Sequence, residues 1–425
     1  MATSAIVGRR GREKVTSRLY LCILTQVALT SSRSGVPAPY LGFAVFGAFW
    51  GTWGAAIPAV RAQAGVDDGQ LGAALLFVGV GALPAMLLAG RVVDRFDQRA
   101  AAVFLAALGV AALVLAVVAR DQVTLSLALA AVGVTSGAAD VAINAAASSA
   151  QASSSRPVVS RSHGLFSVAV VLSSLGTGGL LALGAPLVVP FAIVTAAAVT
   201  AALALRATAR ESMPPAPAPA RGGGPGRWGA VGLGSLVVVG ALSALAFAAE
   251  NAHQSWSAIF LGDVLGASPA LAATGPALFA AVVATVRFTT SALGVAHPIA
   301  VVTAGALTAA AGTLVLAGAT TLTVGLLGLA VAAAGTAVLY PTLISALGTH
   351  LPDSSRGSAI SIVATIAYAG FLAGPVYVGG WAAAGGLPTA MLAVAALAAL
   401  LAAASPFALR AALAERRDRR PKPCG

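Results

Sequence analysis

The chain has 425 residues, 58% of them apolar and only 9% charged, whereas a soluble protein of ordinary usage carries about 25% charge. That balance excludes a water-soluble enzyme and a disordered chain, and fits a protein whose solvent is mostly lipid. The net charge of +12 sits in short clusters between apolar runs, which marks membrane topology rather than a nucleic-acid surface.

A membrane-crossing helix needs about 20 largely apolar residues, and the gaps between charges predict twelve. Residues 1–39 precede the first of them. Their apolar stretch 19–30 is short and broken by Gln26, so this segment reads as a disordered N-terminal extension. Single spans fit in 34–60, 69–90, 100–119 and between Asp121 and Arg156, where Asp140 is the sole interruption. The charge-free stretch 162–205 holds two, turning near Pro186. Stretches 228–249 and 264–286 hold one each, and 288–352 and 357–409 hold two each. Cys22 and Cys424 lie near opposite ends, which argues against a disulfide framework.

Numbering the connections alternately puts all but Arg61 and Arg120 of the 25 Lys and Arg residues on one side. The positive-inside bias makes that side, and both termini, cytoplasmic in a bacterial inner membrane. Residues 207–227 contain PPAPAPARGGGPGR, a composition that cannot pack and therefore links. The expected organisation is all-helical: a six-helix bundle over 40–206, the linker, a second pseudo-symmetric six-helix bundle over 228–409, and a basic tail over 410–425. A shift of 196 residues lays Asp67 on Asp263, Gly79 on Gly275 and Arg91 on Arg287, a weak internal repeat.

The clearest motif is Gly90-Arg-Val-Val-Asp94-Arg95-Phe-Asp-Gln-Arg99, between spans two and three. Glycine lets helices approach closely, and a carboxylate beside arginines at helix ends makes a breakable latch. The segment resembles the loop signature of the major facilitator superfamily, with Asp97 where glycine is usual and Gln98 replacing a basic residue. The resemblance implies a cytoplasmic gate at Gly90, Asp94, Arg95 and Arg99, engaged when the protein opens outward. The degenerate copy expected near Arg287 lacks its carboxylate. Further segments, Trp53-Gly-Ala-Ala-Ile57-Pro58, Gly137-Ala-Ala-Asp140 through Asn144, Ser160-Arg-Ser-His163-Gly164, Trp256 through Pro269, and Gly370 through Pro375, resemble the YbjJ-like branch, which is similar to the fucose/proton symporters. Ala56 stands where that branch often has arginine.

Asp140 is an acid inside an apolar run, a costly placement that faces a bundle interior or cavity. Asn144, four residues on, shares its helix face, and His163 enters from the same side. The three can form a protonation-linked cluster or a static hydrogen-bond network. Glu250, expected at the outer end of span seven with Asn251, His253 and Trp256 nearby, reads as a proton or substrate site or as a solvated helix end. Trp50 and Trp53, one turn apart, are sugar-stacking candidates or interface packing; Trp256 and Asn251 complete the cavity candidates. Span five has no proline from Val158 through Ala185, unlike the drug/proton antiporters of that superfamily.

No phosphate loop, metal-ligand spacing or nucleophile elbow is present, so neither catalysis, cofactor nor metal is expected. The resemblance implies a monomeric secondary transporter moving a small solute, with protons, by alternating access. A sugar or another small polar solute is the favoured cargo. Proton-antiport efflux of amphiphiles and a non-transporting sensor or scaffold are the rivals.

Overall fold

The computed structural model describes residues 37–96, 98–154, 156–208, 232–293, 297–349, 351 and 353–414. Lipid offers no hydrogen bonds, so each apolar run satisfies its backbone within a helix. Helices α1 (Pro37–Ala64), α2 (Asp68–Phe96), α3 (Gln98–Val118), α4 (Gln122–Ser154), α5 (Val158–Ala182) and α6 (Val188–Thr208) form the first half. The second half begins with α7 (Leu233–Asp263), a single turn (Pro269–Ala272), α8 (Thr274–Leu293) and α9 (Pro298–Ala317). Then comes α10 (Leu322–Gly348), interrupted at Val338.

The last helical run, Asp353–Ala414, contains a 54-residue apolar stretch, Ala359–Ala412. At 1.5 Å per residue that stretch would reach about 80 Å, far beyond a hydrocarbon core of about 30 Å. It is broken at Gly386, whose φ of 81° favours glycine, with Pro388 opening the next helix. The Tyr377 hydroxyl donates to the Ala393 carbonyl at 3.1 Å, sixteen residues on, so the chain has turned back on itself. Residues 353–385 are therefore α11 and 387–414 are α12. The eleven long apolar segments among the described residues make twelve crossings.

Short helix caps set the ends. Asp67 accepts from the Gln70 amide while Gln70 accepts from the Asp67 amide, a reciprocal box. Asp121 accepts from Thr124 at the start of α4, and the Thr124 backbone N–H, then its hydroxyl, hold that carboxyl below the usual carboxylate range.

Glycines let the helices meet backbone to backbone. A Cβ on Gly47 or Gly51 of α1 would strike the Phe166 or Val170 carbonyl of α5 at 2.3 Å. A Cβ on Gly370 or Gly374 of α11 would meet the Ala244 or Ala248 carbonyl of α7. The pairs α1–α5 and α7–α11 are related by a shift of six helices. The same shift relates α3–α6, where Thr195 donates to the Gly109 carbonyl, to α9–α12, where Thr303 meets Ser405 at 3.0 Å. The two halves are pseudo-symmetric bundles.

Two helices differ from the sequence expectation. Helix α7 runs through Glu250 to Asp263, and α8 contains Arg287; spans ending at 249 and 286 stop short. Arg287 therefore leaves the tally of connection charges; like Arg91 in α2, it lies in the last two turns of its helix, and the same six-helix shift relates α2 to α8. Most of the linker 207–227, Asp97 and most of the expected extension and tail lie outside the described residues.

Gly133 of α4 tests the close packing, because a Cβ there would lie 2.0 Å from the Val78 carbonyl of α2, whereas one on Gly179 meets nothing within 4 Å. Gly133→Ala should destabilise the protein by about 1–3 kcal/mol and lower its melting temperature in detergent. Gly179→Ala should melt like the wild type.

Candidate functional site

One end of the bundle is sealed. Gly72 of α2 and Gly379 of α11 leave no room for side chains, since a Cβ on Gly72 would sit 2.7 Å from the Pro375 carbonyl and 2.9 Å from Gly379 Cα. Gly178 of α5 is packed as closely on Pro269 and Ala273, at the start of α8. The Arg61 guanidinium, in the last turn of α1, pairs with Asp68 at the start of α2 and with Asp263 at the end of α7. One arginine thus ties the two halves together across this face.

Beneath the seal lies a cavity of about 30 Å3 lined by Trp50, Trp53, Asn251, Ser255, Phe371 and Pro375 among others, room for one or two waters. Between this cavity and the arginine-rich face that carries Arg91, Arg95, Arg156 and Arg356, Asp140 and Asn144 of the first half and Arg287 and Tyr368 of the second are only partly buried.

The strongest polar feature is an ion pair between Arg287 of α8 and Glu250 of α7. Arg287 Nη2 donates to Glu250 Oε2 at 2.9 Å and Oε1 at 3.1 Å. The Gln254 amide adds a bond to Oε1 at 3.2 Å. Counting 1.5 Å per residue from the sealed ends of their helices puts both charges about 20 Å deep. The Glu250 side chain is 11% exposed and that of Arg287 is 38% exposed. An arginine this deep stays so accessible only if it faces a water-filled cavity.

Two prolines build the surroundings. A proline lacks an N–H, so the carbonyl four residues earlier loses its helical partner. Pro341 frees the Ala337 carbonyl, which accepts from Arg287 Nε at 3.1 Å. Pro375 frees the Phe371 carbonyl, which accepts from the Asn251 amide at 2.6 Å. The site is thus assembled from α7 and α8 side chains on carbonyls exposed in α10 and α11. Phe247, Tyr340, Tyr368 and Phe371 form a ring cluster beside it, with the Phe247 and Tyr340 centroids 4.2 Å apart.

In the first half, the Asn144 amide donates to Asp140 Oδ1 at 3.0 Å and to its backbone carbonyl at 2.9 Å. Asp140 lies within electrostatic reach of Tyr368 across the cavity. His163 does not complete this cluster: its ring packs edge-on against Phe43 at 4.7 Å. Of the expected set, Asp140 and Asn144 meet each other and Glu250 meets Arg287, while His163 packs on Phe43.

Three expectations change. Glu250 lies deep within α7, not at its outer end. Trp256 is fully buried and does not reach the cavity. The missing carboxylate near Arg287 is supplied by Glu250, from another helix. The Gly90 segment, expected to engage only when the protein opens outward, is disengaged: a Cβ on Gly90 would meet nothing within 4 Å, Asp94 forms no salt bridge among the described residues, and Arg95 lies 5.5 Å over the Phe96 ring. Trp50 and Trp53 do border the cavity, with Trp50 edge-on to Phe46 and Phe49. Residues not singled out beforehand are Ser255, Phe247, Tyr340 and Tyr368; Pro341 inside an apolar run was the readable signal.

The Arg61 pairs are partly exposed, and such a network is worth about 1 kcal/mol, about fivefold in an equilibrium. Arg61→Gln should raise the population open at the sealed face by that factor. Spin labels at Val66→Cys and Ala267→Cys, in a background lacking Cys22 and Cys424, would report it as a growing long-distance component. An unchanged distance distribution would show that the glycine packing alone holds the seal.

A profile of the Major Facilitator Superfamily matches residues 40–324. The chain is 30% identical over 346 residues to an uncharacterized MFS-type transporter of Yersinia pestis, covering 80% of this chain and 86% of that one. Its fold is similar to that of a bacterial homolog of the human lysosomal transporter Spinster, solved in an inward-facing and occupied conformation. The TM-score is 0.71 at 18% identity, over 92% of this chain and 98% of that one. It is also similar to a D-xylose-proton symporter, with a TM-score of 0.67 at 16% identity, over 87% and 95% of the two chains. Twelve crossings in two pseudo-symmetric halves around a polar midplane cavity match this family's architecture, and the chain belongs to the major facilitator superfamily.

Proposed function

We propose that the chain is a proton-coupled transporter that carries a small polar solute across a bacterial inner membrane by alternating access. The observation that carries this reading is the Glu250–Arg287 pair, deep in its helices yet with the Arg287 side chain 38% exposed, in a bundle whose halves are sealed on one side. A static membrane protein gains nothing from keeping such a pair wet.

The charge bias of the connections assigns the arginine-rich face to the cytoplasm, which makes the present state inward-facing. Arg61 with Asp68 and Asp263 then forms the outer gate. Gly90, Asp94, Arg95 and Arg99 form the cytoplasmic latch, which closes when the outer gate opens; its disengagement here suits that assignment. Residues 40–206 and 228–409 rock as two bodies about the cavity, joined by the 207–227 linker, in a monomer. Asp140, held by Asn144, and Glu250, held by Arg287, are the coupling groups. Trp50, Trp53 and Asn251 line the apex where the solute binds. The sequence segments quoted above support placement near the YbjJ-like branch, and a sugar is one solute of the proposed kind.

Purified protein in vesicles loaded with a pH-sensitive dye tests this reading. Adding a transported solute outside should acidify the interior, and Asp140→Asn should reduce that proton flux by at least about tenfold, as loss of a group acting in the coupled step does. Solute entry without proton movement would overturn the coupling, and proton flux unchanged in Asp140→Asn would remove that residue from it.

A further inference from the structure

We infer that the solute is a small organic monoanion whose carboxylate replaces Glu250 as the partner of Arg287, an inference that rests on the transport reading above. Arg287 offers its planar guanidinium to the cavity, the geometry that recognises carboxylates with two parallel bonds. One nitrogen already holds the Glu250 carboxylate, and Nε is fixed on the Ala337 carbonyl. The guanidinium is therefore pre-aimed, and its counter-ion is exchangeable because Arg287 remains wet.

The exchange balances in charge. A proton from water neutralises Glu250, the solute carboxylate takes its place beside Arg287, and no covalent bond forms or breaks. Before and after, the local sum is one cation and one anion. The loaded and empty sites thus cross the apolar bundle at similar electrostatic cost, while a bare arginine would not. Release reverses the steps: the proton leaves Glu250, and the restored carboxylate expels the solute.

The groups that face Glu250 are consistent with this role. Arg287 comes from α8 and Gln254 from its own helix, while Tyr340 of α10 and Tyr368 of α11 pack on Phe247, one turn before Glu250. His253, on the next turn, is fully buried and occupied: Nδ1 donates to the Ala249 carbonyl and Nε2 meets the Thr313 hydroxyl at 3.0 Å. It is a structural histidine that leaves the cavity to the pair. Phe247, one turn before Glu250, and the rings packed on it offer an apolar wall to the solute body.

The test is ligand protection of the purified full-length protein against thermal unfolding, since a ligand that binds the folded state stabilises it. The probes are benzoate and D-glucuronate, their neutral counterparts benzyl alcohol and D-glucose, and the dianion terephthalate. Each is titrated at about pH 5.5 and about pH 8, spanning the range above an ordinary carboxylate. Protection by a monocarboxylate at the lower pH, weakened at least about tenfold at the higher, is expected, with neither neutral counterpart nor the dianion binding. Glu250→Gln should bind the same monocarboxylate equally at both pH values, and Arg287→Gln should bind it at neither. Protection by D-glucose or benzyl alcohol equal to that of the acids would overturn the inference. So would failure of both acids on wild type and Glu250→Gln at low pH. If Glu250→Gln does not fold, the wild-type comparison of acid with neutral probe decides alone. Proton flux evoked by D-glucose without carboxylate binding would sink the anion and leave the proposed function standing; carboxylate binding without any proton flux would do the reverse.

Discussion

A charge in hydrocarbon must be paired or wet, and the Glu250–Arg287 couple is both. Insertion of an arginine at a helix centre costs about 2.5–3.5 kcal/mol, and an unpaired glutamate nearby would add its own penalty. The pair reduces these costs only if its remaining donors are satisfied. Pro341 meets that condition by leaving the Ala337 carbonyl free for Arg287 Nε. Pro375 does the same for Asn251 through Phe371. Each proline weakens its own helix, which is tolerable because the freed carbonyl is taken by a neighbour. Much of the second half is arranged around this exchange of backbone for side-chain bonds.

The remaining architecture decides who reaches the pair. Glycine contacts such as Gly72 on Gly379 are short-ranged and leave no space for intermediate positions. The Arg61 network is longer-ranged, partly exposed and weak. Together they make a seal that closes firmly when the halves align yet costs little to open. The opposite face shows the complement: Gly90 lies in open space and Asp94 has no ion-pair partner among the described residues.

Most of the fold was legible in the sequence, because length and hydropathy are what lipid selects. The twelve crossings follow from the lengths of the apolar runs, and the Asp140–Asn144 contact from four-residue spacing along one helix. The ends of α7 and α8 were not legible, since reading each charge as a boundary fails where two charges neutralise each other across helices. Nothing local distinguishes Arg287 from a loop arginine; its partner is 37 residues away. His163 likewise shares a side with Asp140 but packs on Phe43. Trp256 resembles a cavity aromatic in sequence and is buried on all sides in the fold. Such distinctions depend on tertiary packing, whereas Pro341 and Pro375, both inside apolar runs, were visible marks of broken helices and available carbonyls.

Accessibility of the cavity apex from each side of the membrane tests the alternating site most directly. Ser255→Cys, in a chain whose Cys22 and Cys424 are replaced, places one thiol among the apex residues. A membrane-impermeant maleimide applied to right-side-out and to inverted vesicles should label it from both faces, faster from the arginine-rich one. Labelling from neither face, or from the arginine-rich face alone under every condition, would contradict an alternating site at the Glu250–Arg287 pair.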